Sequence, residues 1–162
     1  MKPGEAAEVM TRLQPLRVLK PAHREPVAKD WSRLEAAVGR PIPLAFKEFI
    51  AIYNGYSVDL ALFGLSDPAF AKRGGFEHFY GFGVQYNLLV ELKSTQGRMP
   101  DSFLPFGEDG TGNRVCLDTN TKRGAVYYWD HELEHLGPWG CVAKASSSFD
   151  AFLRSLTPLE SE

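Results

Sequence analysis

The 162-residue chain is 44% hydrophobic and 12% aromatic, and 18 Lys and Arg against 20 Asp and Glu give a formal net charge of −2. That is enough apolar sequence for one core without disulfides or metals, and the charge balance argues against a protein that grips nucleic acid through clustered cations. No window approaches the roughly 18 consecutive apolar residues of a membrane helix, the opening MKPGEAAEVMTRLQ lacks a leader's apolar run, and Cys116 and Cys141 alone cannot staple a secreted framework. A reduced cytoplasmic protein without membrane contact is expected.

Residues 1–25, with Pro3, Pro15 and Pro21 among many charges, read as a peripheral extension holding at most a short helix over 5–13. After Pro26, Val27, Trp31, Leu34 and Val38 recur on one face of a helix that Gly39 ends. Phe46, Phe49, Ile50 and Tyr53 repeat the stripe from Pro43 to the stop at Asn54-Gly55, and helical spacing makes this stripe core rather than a ligand pocket. Val58, Leu60 and Leu62 alternate with Asp59 and Ala61, which predicts a strand burying the first set.

Residues 66–79 read as a loop broken by Pro68 and Gly74-Gly75, followed by a short strand over 80–84. Residues 87–95 form a helix carrying Leu88, Leu89 and Leu92. SFLPFG, RVCLD and AVYYWD are three short strands of an antiparallel meander. Ser147-Ser148-Phe149-Asp150 fits a capping box, opening a last helix with Phe149, Phe152, Leu153 and Leu156 on its apolar face. Residues 26–158 are thus one domain, with a tail at 159–162.

One stretch raises the question of chemistry. His131-Glu132-Leu133-Glu134-His135 satisfies H-E-x-x-H, in which two His on one helix face hold zinc while Glu acts as base. It follows the strand-like Val126-Tyr127-Tyr128-Trp129 and meets Gly137-Pro138 at once. On an extended chain His131 and His135 stand about 13 Å apart, too wide for ligands that each sit about 2 Å from one metal. A third ligand would have to come from His23, His78 or a carboxylate, and no spacing nominates one. A zinc hydrolase is the alternative reading, and a polar strand end turning into a loop is the preferred one.

Other motifs are weaker. In GEDGTGNRVCLD the residues Asp109, Thr111 and Asn113 alternate as in a calcium loop, but Arg114 and Asn120 stand where Gly and Glu are needed. A tight turn between strands explains the Gly and Asx residues better. The Ser146–Ser148 run lacks the context of a nucleophile elbow, and Cys116 sits mid-strand as a buried thiol would. No cofactor is implied.

Four passages in order resemble one family. WSRLEAAVG, with Glu35 and Gly39, is similar to the first helix of the SUKH superfamily, which includes fungal glucan-synthesis regulators and bacterial immunity proteins. IPLAFKEFIAIYNGY resembles its most diagnostic segment, with Pro43, Phe46, Phe49, Asn54 and Gly55 matching and Ile42 in place of the usual Leu. LPFGEDGTGNRVCLDT with GAVYYWDHE resembles its paired strands, and SSSFDAFLRSL its closing helix. The resemblance spans about residues 27–157; the long 66–79 segment and the N-terminal extension depart from it.

The resemblance implies an α+β fold, two N-terminal helices and a C-terminal helix packed on a bent, mainly antiparallel sheet. It implies a non-enzymatic module without a zinc site, an immunity protein that binds and neutralises a toxin, often a nuclease; a regulatory adaptor would share the fold. Residues 1–29 hold six basic and three acidic side chains, leaving twelve against seventeen in the remainder. That mildly acidic body suits a protein partner with a basic active site. The expected contact surface is the sheet edge and turn around Glu108, Asp109, Tyr128, Asp130, Glu132 and Glu134, with Tyr128 facing outward and Trp129 inward.

Overall fold

The computed structural model describes residues 1–13, 17–18 and 25–159; Pro15, Pro21 and His23 lie outside the described residues. The elements are α1 (Pro3–Arg12), β1 (Arg17–Val18), α2 (Ala28–Val38), α3 (Leu44–Ile52), β2 (Tyr56–Gly64), β3 (Arg73–Phe79), α4 (Leu88–Thr95), β4 (Phe103–Glu108), β5 (Arg114–Asp118) and β6 (Ala125–Trp129). A 3₁₀ helix (His131–Leu136), β7 (Val142–Ser146), α5 (Phe149–Ser155) and β8 (Thr157–Pro158) follow. The architecture is α+β.

Strands β1 to β7 lie in sequence order, each antiparallel to the next, and β8 pairs with β2. The sheet curls. Flat, the four strand spacings from β2 to β6 would separate them by about 19 Å. Instead the rings of Phe63 on β2 and Tyr128 on β6 stand 5.9 Å apart across the concave face. Pro105 on β4 is accommodated where the pairing with β5 slips between Pro105 and Gly107, since a proline cannot donate to a regular ladder.

The concave face holds the main core. Phe46 and Phe49 of α3, Phe76 and Phe79 of β3, Phe106 of β4, and Phe149 and Phe152 of α5 interlock at centroid distances of 4.4–6.2 Å. Such pairs add about 0.5–1.5 kcal/mol each beyond area burial. A smaller cluster of Met99, Phe103, Cys116, Trp129, Cys141 and Val142 packs elsewhere. Both faces of the meander are therefore covered around β4 to β6.

The turn between α2 and α3 is latched by Glu35, whose Oε1 accepts from the Ile42 amide at 3.1 Å and pairs with Lys47 Nζ. Asn87 caps α4 through its side chain, accepting from the amides of Leu89 and Val90.

Several expectations need correction. The extension is not peripheral over its described helix: α1 buries Ala6, Val9 and Met10, and Leu13 just beyond it, in the main core. The 66–79 passage is a loop only to Lys72, after which β3 pairs with β2 and β4. Residues 80–84 form a loop with one bridge, Gly81 to Asn87, rather than a strand. On β2 the register shifts between Ser57 and Ala61, so the buried set is Val58, Ala61 and Phe63, while Leu60 and Leu62 are half-exposed. The cap of α5 is Ser148, one residue later than the capping box placed it. Asp150 instead receives the amino group of Met1 at 2.7 Å.

Candidate functional site

The turn after β4 and the segment after β6 meet at one end of the sheet. Asp109 Oδ1 accepts from the amide and hydroxyl of Thr111, and Gly110 and Gly112 supply the positive φ of 79° and 103° that the turn requires. Asn113 is the junction. Its Nδ2 donates to the Tyr128 hydroxyl at 2.6 Å and to Asp109 Oδ2 at 3.2 Å, while its Oδ1 accepts from the backbone amide of His131 and lies 2.7 Å from Nδ1 of that ring.

The segment from His131 to Leu136 is a 3₁₀ helix, not an extended strand end, and Asp130 caps it by accepting from the Glu132 amide. Arg98 clamps it from the end of α4, donating Nε and Nη2 to the two carboxylate oxygens of Glu134. Its guanidinium also lies over the Trp129 ring, 5.0 Å from the centroid. The hydrogen bonds from Arg98 hold the Glu134 carboxyl below its ordinary range, with slight burial opposing, and the same pairing raises the Arg98 guanidinium.

This geometry bears directly on the zinc motif. With about three residues per 3₁₀ turn, side chains four apart point about 120° away from each other, whereas on an α-helix they would nearly eclipse. His131 is turned to Asn113 and His135 is exposed to solvent. Among the described residues no three His, Cys, Asp or Glu side chains are grouped to share a metal ion.

The six expected contact residues divide. Glu132 is exposed, and Asp109, Asp130 and Glu134 are half-exposed, all at this end of the sheet. Glu108 and Tyr128 are buried, contrary to the expectation that both present themselves outward. Glu108 accepts from the Tyr80 hydroxyl at 3.2 Å and pairs with Arg114 at 3.1 Å, and Arg114 also reaches Glu91 at 3.3 Å. Tyr128 lies on the concave face against Phe63 and Phe70, its hydroxyl held by Asn113 and Asp109, and burial raises its pKa. Trp129 is buried as expected, but in the smaller cluster.

Two arrangements with catalytic overtones are structural. Ser57 Oγ lies 2.8 Å from His78 Nδ1, and Glu77 is 3.9 Å from Nε2. These are cross-strand neighbours of β2 and β3; Ser57 is buried and the His78 ring stacks on Tyr86 at 4.7 Å. The Cys116 thiol is fully buried, and desolvation pushes its pKa well above the ordinary thiol range, which removes its nucleophilic form.

The exposed aromatic of the segment between β6 and β7 is Trp139, which packs on Phe103 and Tyr127, with exposed Leu136 three residues before it. Sequence reasoning missed it, because Gly137-Pro138 and Gly140 mark the stretch as a terminator. The available signal was a Trp standing outside any apolar stripe.

A curled antiparallel sheet whose concave side is filled by helices, with an acidic turn at one end, defines an α+β fold. A family model, the SMI1 / KNR4 family (SUKH-1), matches residues 27–155. The chain belongs to this family. It is also similar to the SPbeta prophage-derived uncharacterized protein YokK of Bacillus subtilis (strain 168), 27% identical over 147 residues covering 80% of this chain and 74% of the relative. Among the described residues no helix is long and apolar enough to cross a membrane.

Proposed function

We propose that this chain is a non-enzymatic protein-binding module of the cytoplasm, an immunity protein that binds and neutralises a bacterial toxin whose active site is basic, such as a nuclease. The observation that carries this reading is the acidic end of a family scaffold. Arg98 and residues 108–114 and 130–134, which meet at this end, hold five acidic and two basic side chains, a local surplus of three negative charges against −2 for the whole chain. Glu132, exposed and in no ion pair among the described residues, is available to a partner. Sites that bind phosphates are positively charged, so such a surface speeds their encounter.

The test is inhibition. A toxin encoded beside this chain is expected, and its catalytic domain should form a one-to-one complex with the chain and lose activity at equimolar ratio. A toxin domain that stays fully active with the chain in tenfold excess would refute the reading.

A further inference from the structure

The geometry points to Trp139 as the anchor of the interface, seated by a partner surface that presents an apolar recess ringed by Lys and Arg. This inference rests on the protein-binding reading above and adds where and by what chemistry the partner is held. Trp139 is 63% exposed and Leu136 54% exposed, whereas Trp129 is 1% exposed. Tryptophan is among the residues most enriched where interface energy concentrates, and leaving its ring in water forgoes burial that a partner would supply.

The ring is held ready. It meets Phe103 edge-on at 5.5 Å and Tyr127 at 6.3 Å, both side chains belonging to or packed on the smaller cluster. The segment carrying it is fixed on both sides: Arg98 grips Glu134, the Gly140 amide donates to the Gly137 carbonyl at 3.0 Å, and Cys141 Sγ donates to the Pro138 carbonyl at 3.4 Å. A side chain already placed loses little freedom on binding, so more of its burial appears as affinity.

Charge selects the occupant. Glu132 stands exposed in the same segment, with Asp130 half-exposed at its start, against the exposed Lys144 across from Tyr127, and this net negative balance favours a basic surface over an acidic one. An indole face also accepts Arg or Lys directly through its ring electrons. The competing surface is the apolar groove of about 530 Å³ between α1, α3 and α5, with Phe49, Ile52 and Leu153 in its lining. Its nearby charges, Lys2, Glu48 and Asp150, are of mixed sign, and they specify no occupant.

The test titrates an inactivated catalytic domain of a toxin encoded beside this chain against the wild type, Trp139→Ala, and the groove variant Ile52→Ala, reading Kd by calorimetry. Trp139→Ala is expected to weaken binding at least about thirty-fold, chiefly through faster dissociation, and the groove variant to bind as wild type. Complex formation should also protect wild-type tryptophan fluorescence from acrylamide, a readout independent of whether the Ala variant folds. A Trp139→Ala affinity within about twofold of wild type, with quenching unchanged on binding, overturns the anchor and leaves the protein-binding reading standing. Loss of binding in the groove variant alone moves the interface to α3. Self-association of the wild type that Trp139→Ala abolishes would assign the patch to a second copy instead. No binding by the wild type overturns both readings.

Discussion

Glu35 joins α2 to α3 with one carboxylate, accepting from Ile42 and pairing with Lys47. The hydrogen bond from Lys47 is the main cause of its lowered pKa; burial opposes, and the Ile42 amide adds to the lowering. A carboxyl depressed in the folded state stabilises fully above its unfolded pKa and loses that contribution as pH falls through the lower folded value. Glu35→Gln should therefore cost about 1 kcal/mol near neutrality, the figure kept small because the pair is partly solvated. The gap between variant and wild type should close below about pH 4. Thermal melts of both proteins from neutral to acid pH check this; a gap that widens in acid would contradict the assignment. At the same scale Tyr128 shows what one sequence conceals. Alternation places Tyr127 and Trp129 on one face and Tyr128 on the other, and that parity holds. It does not say which face is covered, and here both are.

Among the elements, those with helical stripes were legible because their 3.6-residue period directs side chains to one side. Phe46, Phe49 and Ile50 of α3 and Phe149, Phe152 and Leu153 of α5 are all buried. Strand β3 was not legible, since Gly74-Gly75 reads locally as a breaker. The structure gives a different reason for Gly74: a Cβ there would stand 2.4 Å from the Phe63 ring, so the glycine marks close approach within a strand. The bulge in β2 was equally hidden, because a register shift is set by pairing partners rather than by the strand's own pattern. Helix α1 was misjudged for its charges. It lies before the family match, yet Leu13 is fully buried, Arg12 donates to the Leu156 carbonyl at 3.0 Å, and Glu5 pairs with Arg154 at 3.4 Å. Leu13→Ala should destabilise by about 2–5 kcal/mol in urea melts. A loss under about 1 kcal/mol would mean that α1 contributes little to the folded core in solution.

For the whole molecule, the curl of the sheet separates two tasks. Its concave side is filled by the aromatic core, so the proposed recognition surface is drawn from the ends and from the segment between β6 and β7. Of the proposed surface, the sequence alone nominates Asp130, Glu132 and Glu134; it does not nominate Trp139, because exposure of that ring depends on how the chain folds back. Glu132 and Trp139 should act on different steps. A solvated charge steers encounter and is screened by salt, whereas a buried anchor holds the complex once formed. Glu132→Lys should therefore slow association with the proposed basic partner several-fold at low ionic strength, flatten its salt dependence, and leave dissociation and melting temperature unchanged. Glu132 is the better position for this reversal than Glu134, because a Lys at 134 would face Arg98 and loosen the 3₁₀ helix itself. Stopped-flow mixing across a salt series separates the rates. If the Lys variant associates at the wild-type rate in low salt, the steering surface lies elsewhere, and the loop at 65–72 between β2 and β3 is the next segment to reverse.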